Sequence, residues 1–264
     1  MPRFKLTLEF AGTRYSGWQI QANARTVQGE IDRAARTVTG RQDFELYGAG
    51  RTDAGVHALG QVAHLDVATP LPPDTLRRRL NDALPADIHL LDAVIVPHRF
   101  HARHDAVARR YLYQIARRRT AFAKPYVWWV KEPIDLAPMR DAAVRFTGLH
   151  DFRTFADIDR TTASTRVGIE RFDIAEADDL VLVAVEGSHF LWKMVRRLVG
   201  VLVEIGRGGL TPKTAERWLS EASPEPARLT APASGLFLER VYYAGDARCD
   251  TMRAVTPLRS PYRE

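Results

Sequence analysis

Apolar and polar residues alternate from the start of the chain. Phe4, Leu6, Leu8 and Phe10 interleave with Arg3, Lys5, Thr7 and Glu9. A period of two puts one set on each face of an extended backbone, so this stretch predicts a half-buried strand. The period changes after Thr26. Val27, Ile31, Ala34, Ala35 and Val38 share one helical face, and Thr26 stands at the capping position before them. A short strand is expected around Phe44 to Tyr47, and another from Gln61 to Val67 that turns Ala63, Leu65 and Val67 toward the core. A second helix is expected from about Pro73 to Leu84, and a strand from Ile88 to Val96. Residues 1 to about 105 therefore read β, α, two strands, α, β.

The second half starts in a similar way. Ala108 to Ala116 predicts a strand with Tyr111, Tyr113 and Ile115 on one face. Ile134 to Phe146 predicts a helix, and Thr165 to Ala175 with Asp179 to Glu186 a paired hairpin. Phe190 to Ile205 predicts a helix with the stripe Leu191, Met194, Val195, Leu198, Leu202 and Ile205. Gly206-Arg207-Gly208-Gly209 ends it, and lacks the Lys-Ser/Thr pair of a nucleotide-binding loop. Thr211-Pro212 begins another helix, and Leu236 to Tyr242 closes as a strand. Pro70 to Pro73 and Ser223 to Pro226 read as loops. Both halves suggest two helices on one face of an antiparallel sheet, an α+β pattern. The expected division is 1–105, 106–245, and a basic, loosely ordered tail at 246–264.

Charge narrows the partners. The 264 residues carry 38 Lys and Arg against 32 Asp and Glu, a net charge of +6. That excess favours a polyanion. Arginine dominates, and it suits bidentate phosphate contacts and stacking on bases. The dense stretches are Arg77-Arg78-Arg79, Arg103, Arg109-Arg110 and Arg117-Arg118-Arg119. A single cysteine, Cys249, makes no internal disulfide and no Cys-rich zinc site. The N-terminus runs straight into Arg3-Phe4-Lys5-Leu6 with no visible signal peptide, and no apolar run is long enough to span a bilayer. A cytoplasmic protein with no membrane partner is the expectation.

The chemistry concentrates in Gly48-Ala49-Gly50-Arg51-Thr52-Asp53-Ala54-Gly55-Val56-His57-Ala58. Glycines on both sides let the backbone turn sharply and approach another molecule. One carboxylate, Asp53, sits among them with no second carboxylate nearby, which suits a nucleophile better than an acid–base pair. The plainer reading is a hairpin loop whose Asp caps a turn.

That loop resembles the signature of the bacterial tRNA pseudouridine synthase A family, whose members isomerise uridines in the tRNA anticodon arm. The resemblance covers nearly the whole chain. It begins at Phe10-Ala11-Gly12-Thr13-Arg14-Tyr15-Ser16-Gly17-Trp18-Gln19-Ile20-Gln21 with Thr26-Val27-Gln28. It continues through Leu80-Asn81-Asp82-Ala83-Leu84-Pro85, Asp87-Ile88, Phe100-His101-Ala102-Arg103 and Arg109-Arg110-Tyr111-Leu112-Tyr113. His150-Asp151-Phe152, Met194-Val195-Arg196 and Ala231-Pro232-Ala233-Ser234-Gly235-Leu236-Phe237-Leu238 complete it. Ser234 departs from the residues the family often carries there, and the tail after about residue 245 is not covered.

The resemblance implies two related α+β domains joined through one continuous sheet with a central cleft. It implies isomerisation of uridines 38, 39 and 40 of tRNA by a homodimer without cofactor or metal. It makes Asp53 the nucleophile and Tyr111 the ring that stacks on the target uracil. It pairs Arg196 with the catalytic carboxylate, and it places Arg51 in the space left by a flipped nucleotide. Arg197 and Lys193 are expected to be solvated, and Tyr113 to be packing. Two other readings compete. An RNA-binding module with stacking aromatics has no use for Asp53 in its glycine loop. A metal-dependent hydrolase would draw on His57, His64, His101 and His104 with Asp53 and Asp66, but no zinc motif such as H-E-x-x-H occurs.

Overall fold

The computed structural model describes residues 1–158 and 164–259. The chain runs β1 (Arg3–Phe10), α1 (Val27–Thr39), β2 (Glu45–Gly48), β3 (His57–Asp66), α2 (Pro73–Ala83), β4 (Ile88–Val96) and β5 (Ala106–Ala116). It continues with β6 (Trp128–Trp129), α3 (Leu136–Arg145), β7 (Gly148–Asp151), β8 (Arg166–Ala177) and β9 (Leu180–Gly187). Then come α4 (Met194–Gly206), α5 (Pro212–Arg217), α6 (Glu225–Arg228) and β10 (Leu236–Tyr243). These elements fall into two compact units. The first holds Met1–Val107 with Phe237–Arg248, and the second Ala108–Leu236 with Cys249–Glu264.

In the first unit β1 lies between β3 and β4, antiparallel to both, and β2 pairs with β3. Phe4, Leu6, Leu8 and Phe10 are buried, as the alternation of β1 requires. The returning strand β10 lies parallel to β3, with Phe237 opposite His57 and Leu238 opposite Ala58. Thr26 caps α1 by accepting the Gly29 N–H at 3.2 Å. Val27, Ile31, Ala34 and Ala35 of that helix are buried. α1 packs on α2, and α2 on β4.

In the second unit β9 lies between β5 and β8, antiparallel to both, and β7 pairs with β8. The two-residue β6 adds to β5 in parallel. α3 packs against α4, α5 and β8. β9 is buried along its whole length, so it reads as a continuous apolar run, Leu180 to Val185, rather than an alternating one.

Several expectations change. Each unit's sheet is antiparallel except at one two-residue pairing, where β10 meets β3 and the short β6 meets β5 in parallel. β3 begins at His57, earlier than its apolar alternation indicates, since β1 and β10 supply backbone partners on either side of Ala58. α4 begins at Met194 instead of Phe190. Lys193 adopts a left-handed conformation (φ 61°), which breaks the helix that the apolar stripe suggests. Part of the stretch read as a loop at Ser223 to Pro226 enters the short helix α6.

The tail, read from sequence as loosely ordered, makes defined contacts between Cys249 and Arg259. Arg110 donates to the Cys249 and Thr251 carbonyls at 2.9 and 3.3 Å. Gln114 accepts the Val255 N–H at 2.7 Å and donates to the Thr256 hydroxyl at 3.0 Å. The Asp179 N–H donates to the Leu258 carbonyl at 3.1 Å. Positions 260–264 of that tail lie outside the described residues.

α4 is fixed by a close approach. A Cβ on Gly200 would lie 1.6 Å from the Leu229 carbonyl oxygen, a backbone atom with no freedom to move aside. Gly200→Ala is therefore expected to lower stability by about 1–3 kcal/mol or more, as an overpacked core does. Urea titration should show a lower midpoint at an unchanged slope. A wild-type midpoint would show that the 229–231 segment gives way freely.

Candidate active site

The loop carrying Asp53 runs from the end of β2 at Gly48 to the start of β3 at His57. Its stem is closed by the Ala49 N–H on the Val62 carbonyl (2.7 Å) and the Gln61 amide on the Gly50 carbonyl (3.0 Å). Its tip is held by the segment after β1. The Trp18 N–H donates to the Thr52 carbonyl at 3.1 Å, and the Gly55 N–H donates to the Tyr15 carbonyl at 3.3 Å. The Gly12 N–H donates to His57 Nδ1 at 3.0 Å. Gly17 makes this approach possible. Its φ is 92°, and a Cβ there would lie 2.5 Å from the Thr52 carbonyl oxygen.

Asp53 closes a tight turn, its carbonyl accepting the Val56 N–H at 3.1 Å. Its side chain is half-buried, while Arg51 is exposed. Between them Thr52 is buried, and among the described residues its hydroxyl has no hydrogen-bond partner. The rest of the N-terminal motif braces this segment. The Tyr15 hydroxyl donates to Asp87, and the Arg25 guanidinium lies 4.8 Å over the Tyr15 ring. Burial and the Asp87 carboxylate push the Tyr15 phenol well above its usual range. Gln28 donates to the Leu46 carbonyl at 2.9 Å and its backbone N–H to the Trp18 carbonyl at 2.9 Å.

Tyr111 and Arg196 belong to the second unit. Tyr111 is half-buried on β5, opposite Val185 of β9, and its ring meets Phe190 edge-to-face with centroids 5.2 Å apart. Tyr113 differs. It is fully buried, and its hydroxyl donates to the Pro232 carbonyl at 2.7 Å. Burial holds its phenol well above 10, with the nearby Arg196 charge acting in the opposite direction. Arg196 sits in the first turns of α4, half-buried. Its Nε donates to the Ala231 carbonyl at 2.8 Å, and its own carbonyl accepts the Ala231 N–H at 3.0 Å. This reciprocal pair sets the direction of the guanidinium.

Residues 7–105 and 142–244 match the family described as tRNA pseudouridine synthase. The chain belongs to that family. The tRNA pseudouridine synthase A of Nitrobacter hamburgensis is 42% identical over 246 residues, which span 92% of this chain and 100% of that protein. That of Rhodopseudomonas palustris is 41% identical and that of Xanthobacter autotrophicus 40%, each over 92% of this chain and 100% of its own length. As a pseudouridine synthase the chain is an isomerase acting on uridine in tRNA. Among the described residues, no helix is long and apolar enough to cross a membrane.

The expectation that Arg197 and Lys193 are solvated is corrected within this synthase. Arg197 is buried rather than solvated and is ion-paired with Asp157, and the Lys193 amine joins the same carboxylate at 2.6 Å. The two cations hold the Asp157 carboxyl below its usual range against the opposing effect of burial. Arg110 is buried beside Glu186 at 3.8 Å. Arg77 and Arg78 both pair with Asp74. Sequence density of arginine therefore overstates the surface left for phosphate.

Among the candidate histidines, His57, His64 and His101 act as hydrogen-bond acceptors. His64 Nδ1 accepts the Ala102 N–H at 3.1 Å, and His101 Nδ1 accepts the Arg103 and His104 N–H groups at 3.1 and 3.2 Å. An accepting ring nitrogen is an unprotonated one. Among the described residues no group of three or more His, Cys, Asp or Glu is placed to hold a metal ion. Burial first, then the charge of Arg3 and the neighbouring His101, lowers the His64 pKa from 6.5 to about 4, against Asp66 and Asp105, which raise it.

That lowering fixes a pH dependence. The unfolded imidazole takes up a proton below about pH 6.5, while the folded one resists until about pH 4. Stability is therefore fully present above pH 6.5 and declines as pH falls toward 4. The decline corresponds to at most roughly 3 kcal/mol. Urea unfolding at stepped pH should show it, with a flatter profile in His64→Asn. Equal slopes in the two proteins would refute a neutral buried His64.

Proposed function

We propose that this synthase converts uridine to pseudouridine at positions 38, 39 and 40 of the tRNA anticodon stem-loop, with Asp53 as its nucleophile. The observation that carries the reading is the clamped loop, in which the backbone on both sides of one carboxylate is tied to residues 12–18. A group that must meet a particular sugar carbon gains rate from being held in position.

The reaction breaks the N1–C1′ bond of uridine, turns the freed base, and joins its C5 to C1′. The C5 proton leaves and N1 gains one, so the change is an isomerisation that consumes no redox equivalent. A single carboxylate can start it by attack at C1′, by attack at C6, or by removing the 2′ proton. In each route Asp53 has to be ionised. Arg196 is the cation we assign to the reaction, since a fixed positive charge favours an ionised carboxylate. Tyr111 stacks on the target uracil, and its hydroxyl assists proton transfer at C5. Uridines in a stem must leave the helix to react, at a cost of a few kcal/mol. Arg51 is exposed and long enough to fill the resulting gap. We assign the working enzyme to the cytoplasm, as a homodimer.

Asp53→Asn is expected to fold and bind tRNA but to form no pseudouridine when incubated with an unmodified transcript and mapped afterwards. Near-normal turnover would sink the nucleophile assignment.

The two tyrosines separate chemistry from packing. Tyr111→Phe keeps the ring, so tRNA affinity should stay close to wild type while the rate drops by about 10²–10⁴-fold, the usual worth of general acid–base assistance. Tyr113→Phe removes a part-buried hydrogen bond to the carbonyl of the exposed Pro232, which should cost about 0.5–1.5 kcal/mol of stability and little turnover. A wild-type rate in Tyr111→Phe with a slow Tyr113→Phe would move the role to the other ring.

A further inference from the structure

The second unit holds a cleft of about 720 Å³ that contains none of the residues assigned to the reaction. Its lining includes Arg119, Thr120, Lys124, Trp128, Trp129 and Ser234, and no carboxylate lines it. The floor is built. Trp128 and Trp129 are paired in parallel with Ile115 and Ala116 of β5, and the Ser234 hydroxyl donates to the Val127 carbonyl at 3.1 Å. Trp128 meets the Tyr113 ring edge-on at 6.2 Å. Trp129 is 41% exposed, and the Arg119 guanidinium lies 6.0 Å over its ring. Phe122, in the loop between Arg119 and Lys124, is 96% exposed.

The charges are selective. Arg117 and Arg118, next in sequence, are spent on Glu176 and Asp179 at 2.7 and 2.6 Å. Arg119 and Lys124 have no ion pair among the described residues. An open indole beside two such cations offers a flat face and a positive rim together. A purely apolar partner would strand the cations, and an acidic peptide would leave the ring unused. A nucleotide satisfies both, its base on the aromatic face and its phosphate on the cations.

We propose that this cleft binds a nucleotide of the tRNA substrate other than the reacting uridine. Its base stacks on Trp129, and its phosphate meets Lys124 and Arg119. The proposal rests on tRNA being the substrate and adds a second point of attachment.

The test measures affinity for an unmodified tRNA transcript by filter binding, from about 50 to 200 mM salt. Four proteins are compared: wild type, Trp129→Ala, Trp129→Phe and Lys124→Gln. Loss of stacking should weaken Trp129→Ala by about 5- to 150-fold, and Trp129→Phe should recover most of that. Lys124→Gln should flatten the slope of log affinity against log salt by about one. Turnover at saturating tRNA should match wild type in all three variants, so the defect is read in KM. Wild-type affinity and slope in Trp129→Ala and Lys124→Gln would overturn the proposal. So would an equal loss in Trp129→Ala and Trp129→Phe accompanied by lowered melting temperatures, which marks a packing role. A wild type that binds the transcript yet forms no pseudouridine refutes the catalytic reading alone, because the affinity comparison does not depend on turnover.

Discussion

The first unit depends on one backbone approach, that of Gly17 to the carbonyl of Thr52. With φ at 92° and no side chain, Gly17 lets the segment after β1 lie against the Asp53 loop. The Trp18 N–H can then reach the Thr52 carbonyl, and the Tyr15 carbonyl can receive the Gly55 N–H. Any L-side chain at Gly17 would have to displace backbone, and backbone in a closed loop has nowhere to go. The remaining motif residues follow from this approach. Thr26 caps α1 immediately after the segment, Gln28 ties that helix to β2, and Tyr15 is pinned by Asp87 and Arg25. A loop bonded along its stem and its tip holds its backbone to one path, and the nucleophilic role proposed for Asp53 draws on that.

The second unit solves a similar positioning problem with a helix. α4 is drawn onto the 229–232 segment by Gly200, where side-chain atoms are excluded, and by the reciprocal bonds between Arg196 and Ala231. Pro232 in the same segment takes the Tyr113 hydroxyl. Strand β5 and helix α4 are thus both fastened to one short stretch of chain. Arg196 makes one of those fastenings itself, and Tyr111 lies two residues along β5 from Tyr113, which makes the other. Both Tyr111 and Arg196 stay half-buried.

Much of the fold was legible in the sequence because the periodic segments are long. β1 follows from alternation and α1 from a 3.6-residue stripe with a cap, while α2, β4 and the β8–β9 pair fall on the stretches read as a helix, a strand and a paired hairpin. The misreadings have local causes. The apolar stripe from Phe190 to Ile205 continues through Lys193, but a single left-handed residue stops the helix there, and hydrophobic periodicity carries no signal for that. Likewise Arg197 and Lys193 look like surface residues until Asp157, some 40 positions earlier, is folded against them. The tail has no periodicity, since what holds Cys249 to Arg259 is backbone bonded to Arg110, Gln114 and Asp179. The roles proposed for Asp53, Arg51, Tyr111 and Arg196 come from a different source. The order of motifs points to them, and strand periodicity alone puts Tyr111 and Tyr113 on one face.

The arginines show why a net charge is a poor map of an RNA surface. An excess of +6 on 264 residues describes the whole chain, yet the useful quantity is which cations lack a carboxylate. In the run Arg117-Arg118-Arg119 two members are paired and one lies over an indole. Arg110 and Arg197 are buried and structural, and Arg36, Arg145 and Arg207 are each paired with a carboxylate. An exposed ion pair contributes little to stability, but it does remove a cation from competition for phosphate. Adjacent residues of one run therefore end with opposite roles. What divides them is the presence of Glu176 and Asp179 on or beside the neighbouring strands, a tertiary fact that local arginine density does not encode.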